Sequence, residues 1–127
     1  MLGALKSIIP ESIQTSIRKV RNKGDKHECP LCDFKAERFL PIGLDLPVIR
    51  KMKIVGAGLR DGGCASCGST DRERLIYRYF DKEDGLFAHA SDMRVLHIAP
   101  EKNLTLKLLQ RNFKEYDSIG RLEVQRA

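Results

Sequence analysis

The fold of this chain is decided by residues 64–80, which read CASCGSTDRERLIYRYF. Cys64 and Cys67 open this stretch as a CxxC pair. Residues 29–32, CPLC, form a second such pair, with 31 residues between the two. Each pair offers two thiolates from one tight turn, and two turns complete a tetrahedron around zinc. The spacing therefore predicts a metal site with four ligands: Cys29, Cys32, Cys64 and Cys67.

Four thiolates would close the coordination sphere, which is typical of structural zinc, since catalytic zinc keeps one position open. Asp33 and Gly68 follow the second cysteine of each pair, where a small or polar residue relieves crowding. Two other interpretations remain open: redox or disulfide chemistry, and buried cysteines without metal. His27 is either a substitute ligand or an exposed polar residue. We predict that residues 27–69 form a zinc-ribbon-like module that needs the metal to fold.

The sequence after the second pair predicts a helix that links this module to the rest of the chain, over residues 70–84. Thr70 and Glu73 have the spacing of a capping box. Asp84-Gly85 would end the helix. The apolar residues at helical spacing are Leu75, Ile76, Tyr79 and Phe80.

Residues 27–69 are rich in glycine and turn-forming residues. Within them, short runs such as residues 34–40 and 53–55 have the composition of β-strands. This region has too little apolar content to hold itself together by burial alone.

Residues 1–26 read as an amphipathic basic helix. Pro10 is suited to its first position, Asn22 is its approximate end, and Gly24 is a stop signal. One interpretation is a helix docked on the protein body; the other is membrane-surface contact through residues 1–22. The apolar residues that share one face are Leu2, Leu5, Ile9, Ile13, Ile17 and Val20.

The same N-terminal segment bears on localisation. Lys6 and Pro10 interrupt its apolar residues, so it does not resemble a secretory signal. We expect a cytoplasmic protein in which cysteines stay reduced, and CxxC pairs then favour metal over disulfide.

Residues 94–104, RVLHIAPEKNL, have the outline of a strand, a tight loop and a helix. The helix would extend from Glu101 to Phe113, and Tyr116 would begin a second strand that continues to about Ile119. The loop has no glycine. Such units open many nucleotide-binding sheets, whose ligands bind at the carboxyl ends of parallel strands.

Taken together, these motifs resemble a bacterial family of S-adenosylmethionine-dependent methyltransferases, in which a Cys-rich module precedes a Rossmann-like domain. The resemblance covers roughly residues 27–116. It rests on CPLCD, FLPIG, IVGAGLRDGGCASCGSTDRERLIYRYF and RVLHIAPE, in this order.

The resemblance implies that the four cysteines bind zinc and that Ser69, Arg72 and Arg74 belong to the linking helix. It further implies S-adenosylmethionine as a cofactor, bound by the first strand and the loop after it, which contain His97, Ile98, Ala99, Pro100 and Glu101. The residues themselves leave alternatives open. Glu101 would pair with the cofactor ammonium or act as an ordinary first-turn acid of a helix. His97 would be a catalytic base or a packed strand residue.

The expected fold class is α+β: a zinc-ribbon-like module flanked by helices, then the first β-α unit of a Rossmann-like sheet within residues 85–127. A full sheet of this class has about seven strands. Gly120 also falls where an acid that contacts the cofactor ribose is expected. We therefore expect a truncated fragment, inactive alone, or a sheet that a second chain completes. The sequence does not identify the methyl acceptor.

The alternative function is a zinc-stabilised module that binds nucleic acid or protein without catalysis. The net charge is +6, and +4 of it lies in residues 1–27. Acidic residues interleave with the arginines after residue 70, which is typical of a solvated helix, so nucleic acid is not the expected partner. The arginines available for such contacts are Arg60, Arg72, Arg74 and Arg78.

Overall fold

The computed structural model of the protein describes residues 10–54 and 56–120. The chain is mixed α+β, as expected, and divides into two compact units, Met1–Asp71 and Arg72–Ala127. The described elements are helices α1 (Glu11–Asn22), α2 (Pro47–Met52), α3 (Asp71–Phe80) and α4 (Lys102–Leu109), and strands β1 (Lys23–Glu28), β2 (Lys35–Ala36), β3 (Leu40–Ile42), β4 (Arg60–Gly63), β5 (Arg94–Ile98) and β6 (Glu115–Ile119).

Helix α1 begins and ends where the sequence predicts. The carbonyl of Pro10 accepts hydrogen bonds from the amides of Ile13 and Gln14, which closes the first turn. The helix ends at Asn22, so residues 23–26, which the sequence analysis grouped with it, lie in β1. Part of the predicted apolar face, Leu2, Leu5 and Ile9, lies outside the described residues.

The first unit contains two antiparallel strand pairs, β1 with β2 and β3 with β4. In the first pair, Glu28 lies opposite Lys35. Lys23 and His27 both pair with Ala36, and a bulge lies between these two pairings. In the second pair, Ile42 lies opposite Arg60. The predicted run 34–40 is therefore divided between β2 and the first residue of β3, because each strand pairs with a different partner.

Two elements of this unit differ from the prediction. Helix α2 was not anticipated; Pro47 occupies its first position, where a missing amide hydrogen costs nothing. The predicted β-like run 53–55 is wrong for its described residues. Lys53 takes a left-handed conformation with φ +49°, and its amide and that of Ile54 close the end of α2. Strand β4 was not predicted either, because its two glycines are not typical of strands.

Helix α3 ends at Phe80, earlier than the predicted residue 84. The chain turns back over the helix end at Gly85, where a Cβ would lie 2.3 Å from the carbonyl oxygen of Phe80. Of the predicted apolar face, Leu75 and Tyr79 are exposed, whereas Tyr77 is buried. A 3₁₀ helix, Leu86–Asp92, follows. It places the Phe87 ring against three other aromatic rings: Tyr77, Phe80 and Phe113.

Strands β5 and β6 are parallel and are connected through α4, which confirms the predicted strand, helix and second strand. Arg94 lies opposite Glu115, and Ile98 lies opposite Ile119. Helix α4 ends at Leu109 rather than at Phe113, since residues 110–114 return the chain to the start of β6. Leu104 and Leu108, one turn apart on α4, are buried.

Candidate metal centre and the loop after β5

The two CxxC pairs lie in turns that have the same hydrogen-bond pattern. The amide of Cys29 donates to the carbonyl of Phe34 at 3.0 Å, and the amide of Cys64 donates to the carbonyl of Ser69 at 2.9 Å. In both cases the first cysteine is bonded to the fifth residue after it. Each turn is therefore closed at its base, and its two cysteines are held on one side of a short loop.

The residue after the second cysteine has a left-handed backbone in both turns. Asp33 has φ +56° and Gly68 has φ +74°. Their amides donate to the carbonyls of Cys29 and Cys64, at 2.8 and 3.0 Å. Glycine adopts this conformation without steric cost, and aspartate is among the few other residues that tolerate it. The sequence prediction for these two positions is thus explained by backbone geometry.

The four cysteine sulfurs lie together, each within 4.8 Å of the others. The Sγ atoms of Cys29 and Cys67 are 3.8 Å apart, and those of Cys32 and Cys64 are 3.7 Å apart. A zinc–sulfur bond of about 2.3 Å in a regular tetrahedron requires sulfur atoms about 3.8 Å apart. The cluster therefore has the ligand type, number and spacing to hold a metal ion such as zinc.

Ser69 is a member of this site that the sequence analysis placed only in the linking helix. The residue precedes α3 and is fully buried. Its Oγ lies 3.1 Å from the Sγ of Cys67 and 3.4 Å from the Sγ of Cys29. The Cys67 thiol donates to this hydroxyl. When the cysteines are deprotonated, the same hydroxyl can donate to a thiolate, which stabilises the charged form of the ligand. The signal was present in the sequence as a serine two residues after the last cysteine.

The thiols of the cluster influence one another strongly. Hydrogen bonding with Cys64, and then with Cys67, lowers the pKa of the Cys29 thiol. Hydrogen bonding with Cys29 raises the pKa of both Cys64 and Cys67. The pKa of Cys29 and those of Cys64 and Cys67 thus move in opposite directions, because these sulfurs share hydrogen bonds. Binding of a metal by all four sulfurs requires that the thiol protons leave.

His27 does not join the metal cluster. It is exposed, and its ring lies 5.3 Å from that of Phe39. The interpretation of His27 as an exposed polar residue agrees with this position.

The second group of predicted site residues lies at the carboxyl end of β5. The Nδ1 of His97 is 2.9 Å from the hydroxyl of Tyr116, and its Nε2 is 3.2 Å from a carboxylate oxygen of Glu101. The other oxygen of Glu101 is 3.4 Å from the Nε of Arg72. Both ring nitrogens of His97 therefore have a polar partner, and the ring is placed to orient the Glu101 carboxylate.

The loop itself has one unusual backbone position. Ala99 has φ +52°, and its amide donates to the carbonyl of Ile119 at 2.7 Å. This amide is used to extend the pairing between the strands and cannot contact a ligand. Pro100 follows and Glu101 precedes the first turn of α4. The predicted residues therefore lie in sequence from the end of β5 to the start of α4, and among them only His97 and Glu101 are joined by their side chains.

A cleft of about 200 Å³ lies beside this loop, within the second unit. Arg72, His97 and Glu101 contribute its polar atoms. Its apolar lining comes mainly from α3, β5 and α4: Ile76, Phe80, Val95, Leu96, Ile98, Leu104 and Leu108. An apolar pocket with a few convergent polar groups is the usual form of a small-molecule site, although such sites commonly measure about 300–1,000 Å³.

Two of the arginines considered for nucleic-acid contact are engaged by carboxylates. Arg60 pairs with Asp71, and Arg72 pairs with Glu101. Arg74 is buried, and Arg78 is exposed. No specific observation therefore favours the nucleic-acid interpretation.

In the described residues, no helix is long and apolar enough to cross a bilayer.

The chain matches no protein-family model, no curated protein and no solved structure.

Proposed function

We propose that residues 23–71 form a module around a structural zinc ion bound by the four cysteines. The observation that carries this proposal is the close approach of the four sulfur atoms, all within 4.8 Å of one another, with two pairs at the separation of about 3.8 Å that a tetrahedral zinc–thiolate centre requires. The ligand set leaves no open position for water or substrate. The ion would therefore stabilise the fold and take no part in chemistry.

The architecture of the module explains why a metal is needed. Strands β2 and β3 are only two and three residues long. Apart from the cysteines, the described apolar residues of this unit that are buried are Leu31, Ala36, Ile49 and Ala65. Isolated two-stranded pairs of this kind are marginal in water. Zinc bound by thiolates contributes on the order of 10 kcal/mol to folding, enough to stabilise such a unit.

Metal analysis of the purified full chain tests this proposal. We expect one zinc per chain, and a cobalt-substituted form with the visible absorption of a tetrahedral thiolate site. Cys64→Ser should lose most of the metal, whereas Ser66→Ala, in the same turn, should retain it. Less than about half an equivalent of zinc, in protein purified without chelator, would contradict the proposal.

We further propose that the β5–α4 loop belongs to an S-adenosylmethionine-dependent methyltransferase site. The sequence resemblance motivates this proposal. Its support is the position of Glu101, a carboxylate at the carboxyl end of a parallel strand, where such sheets bind ligands. A carboxylate there suits the cofactor ammonium. When bound, S-adenosylmethionine supplies a methyl group on a sulfonium.

The described residues supply only part of such a site. The cleft of about 200 Å³ accommodates the amino-acid end of the cofactor but not its nucleoside as well. Glu101 is already held by Arg72 and His97, which would orient the carboxylate but also reduce its free charge. We therefore expect weak binding, and no methyl transfer, from this chain alone.

Nuclear magnetic resonance titration of the full chain with S-adenosylmethionine tests this second proposal. We expect millimolar binding, with amide shifts confined to residues 97–104. Glu101→Gln should reduce these shifts, and Asp92→Asn, an exposed carboxylate nearby in sequence, should leave them unchanged. Absence of shifts in this loop would contradict the cofactor assignment. A Kd below about 100 μM would contradict the claim that the site is partial.

A further inference from the structure

The apolar side chains of α1 face away from the protein. Ile13, Ile17 and Val20 recur at spacings of four and three residues, so they form one stripe along the helix. Their exposed fractions are 50%, 54% and 81%. A helix that docks through its apolar face would bury these residues. The interpretation of α1 as a helix docked on the protein body therefore does not hold for its apolar face.

The helix is held instead from its opposite side. Asn22, two residues after Val20, is buried. Its side-chain amide donates to the carbonyl of Arg18, and its own carbonyl accepts the amide of Glu37 at 2.9 Å. Thr15, on the same side of the helix as Asn22, is half-buried. The attachment thus leaves the apolar stripe free along its whole described length.

Basic residues accompany the stripe. Arg18, Lys19 and Arg21 lie on α1 and Lys23 follows it, whereas Glu11 is the one acid of the helix. Among the described residues, none forms an ion pair with Lys19, Arg21 or Lys23, and all three are exposed. An exposed apolar stripe with unpaired cations beside it complements a surface whose outer layer is anionic and whose inner layer is apolar.

We propose that α1 is an interfacial helix that binds anionic lipid bilayers. Ile13, Ile17 and Val20 would enter the boundary between headgroups and acyl chains, while the lysine and arginine side chains reach the lipid phosphates. The charge favours lipid over a second copy of this helix, because two such helices would bring their cations together. The upstream apolar residues Leu5 and Ile9 continue the pattern in the sequence. This inference is independent of the zinc and methyltransferase proposals.

Cosedimentation of the full, zinc-loaded chain with vesicles tests the proposal. The vesicles would contain phosphatidylcholine alone, or phosphatidylcholine with about 30% phosphatidylserine. We expect binding to the anionic vesicles at about 0.1 M salt, little binding to the neutral ones, and a marked loss at about 0.5 M salt, where charges are screened.

Matched variants assign the binding to α1. Ile17→Gln should weaken it about tenfold, because an inserted apolar side chain is lost. Lys19→Gln should weaken it about fivefold. The controls are Leu75→Gln, a residue that is 72% exposed on α3, and Lys51→Gln, an exposed lysine on α2. Neither control should change vesicle binding, since neither residue lies on α1.

Several outcomes would overturn the proposal. No binding to phosphatidylserine vesicles would do so directly. Equal losses in the α1 variants and their controls would show that binding does not depend on the stripe. Sedimentation showing a dimer that Ile17→Gln dissociates would assign the stripe to a second copy of the chain. Salt-independent binding to neutral vesicles would remove the role of the basic residues.

Discussion

Arg60 holds both carboxylate oxygens of Asp71, the first residue of α3. Its Nε lies 2.6 Å from Oδ2 and its Nη2 lies 2.9 Å from Oδ1. The remaining nitrogen, Nη1, donates to the carbonyl of Gly56 at 2.9 Å. One guanidinium therefore ties β4, the loop before it and the start of α3 together, and the hydrogen bonds to Asp71 raise the pKa of Arg60.

Replacing Arg60 with lysine should lower the urea midpoint of unfolding. Lysine keeps the charge but cannot form the paired, planar contact. Because the pair is partly exposed, the effect should shrink as salt rises. Arg38→Lys, at an exposed position, serves as the control. An equal midpoint for Arg60→Lys and the parent protein at low salt would refute the role of this pair.

Ser69→Ala should weaken metal binding about tenfold or more while leaving the four ligands in place. The substitution removes the hydroxyl beside the sulfurs of Cys29 and Cys67. Groups that support metal ligands in this way typically contribute roughly 10–100-fold in affinity. Competition with a zinc chelator measures the change. Ser66→Ala controls for the loss of a hydroxyl in the same turn, and a similar loss in both variants would count against Ser69.

Gly68→Val should destabilise the first unit more than Gly68→Asn. A Cβ at this position would have no other atom within 4 Å, so steric contact with neighbours does not decide the outcome. The left-handed backbone, at φ +74°, costs about 1–2 kcal/mol for an ordinary residue, whereas asparagine tolerates it. Thermal unfolding of the zinc form would reveal the order. Equal stability of the two variants would show that the backbone conformation does not matter.

Glu73→Ala should destabilise the second unit. Glu73 is only 4% exposed and accepts the amide of Asn103, in the first turn of α4, at 3.3 Å. Removal of the carboxylate leaves the amide of Asn103 without that hydrogen bond, which should lower the free energy of unfolding by about 1–3 kcal/mol. Faster hydrogen exchange at Asn103 would locate the effect. Glu83→Ala, at an exposed carboxylate, should change stability by less than about 0.5 kcal/mol. Slow exchange at Asn103 in Glu73→Ala would exclude this role.

Tyr116→Phe should change the tautomer of His97. In the parent protein the Tyr116 hydroxyl can donate to Nδ1, while the hydrogen on Nε2 donates to Glu101. Without the hydroxyl, the form with hydrogen on Nδ1 should become more populated. Nitrogen chemical shifts of the ring, recorded near pH 8, report the two forms. Tyr79→Phe, at an exposed tyrosine, is the control, and an unchanged His97 spectrum in Tyr116→Phe would show that the contact does not set the tautomer.

The parts that the sequence predicted correctly depend on neighbours in the chain. Helix α1 has its bounds because Pro10 starts a helix well and the amphipathic period ends near Asn22. The β5–α4–β6 order follows from a short apolar run, a proline and a helical period. The CxxC spacing alone places two sulfurs on each turn, whatever surrounds it.

The parts that it missed depend on pairing between distant residues. Strand β4 contains Gly62 and Gly63 and forms because β3 supplies its hydrogen bonds. Leu75 and Tyr79 are exposed although their spacing groups them with Ile76 and Phe80, because helical period does not say which side of a helix meets the core. Ser69 contacts Cys67 within its own turn, but it reaches Cys29 only because the two turns approach each other.

The sequence by itself determined the candidate ligands, the helix and strand order after residue 94, and the amphipathic character of α1. Those features are local, since they follow from residue spacing and backbone preference. Only the tertiary structure decided that the four sulfurs lie within 4.8 Å of one another, that His97 and Arg72 both hold Glu101, and that the apolar stripe of α1 points outward. Such relationships depend on which distant parts of the chain meet and on which face of a helix meets the core. Packing decides both.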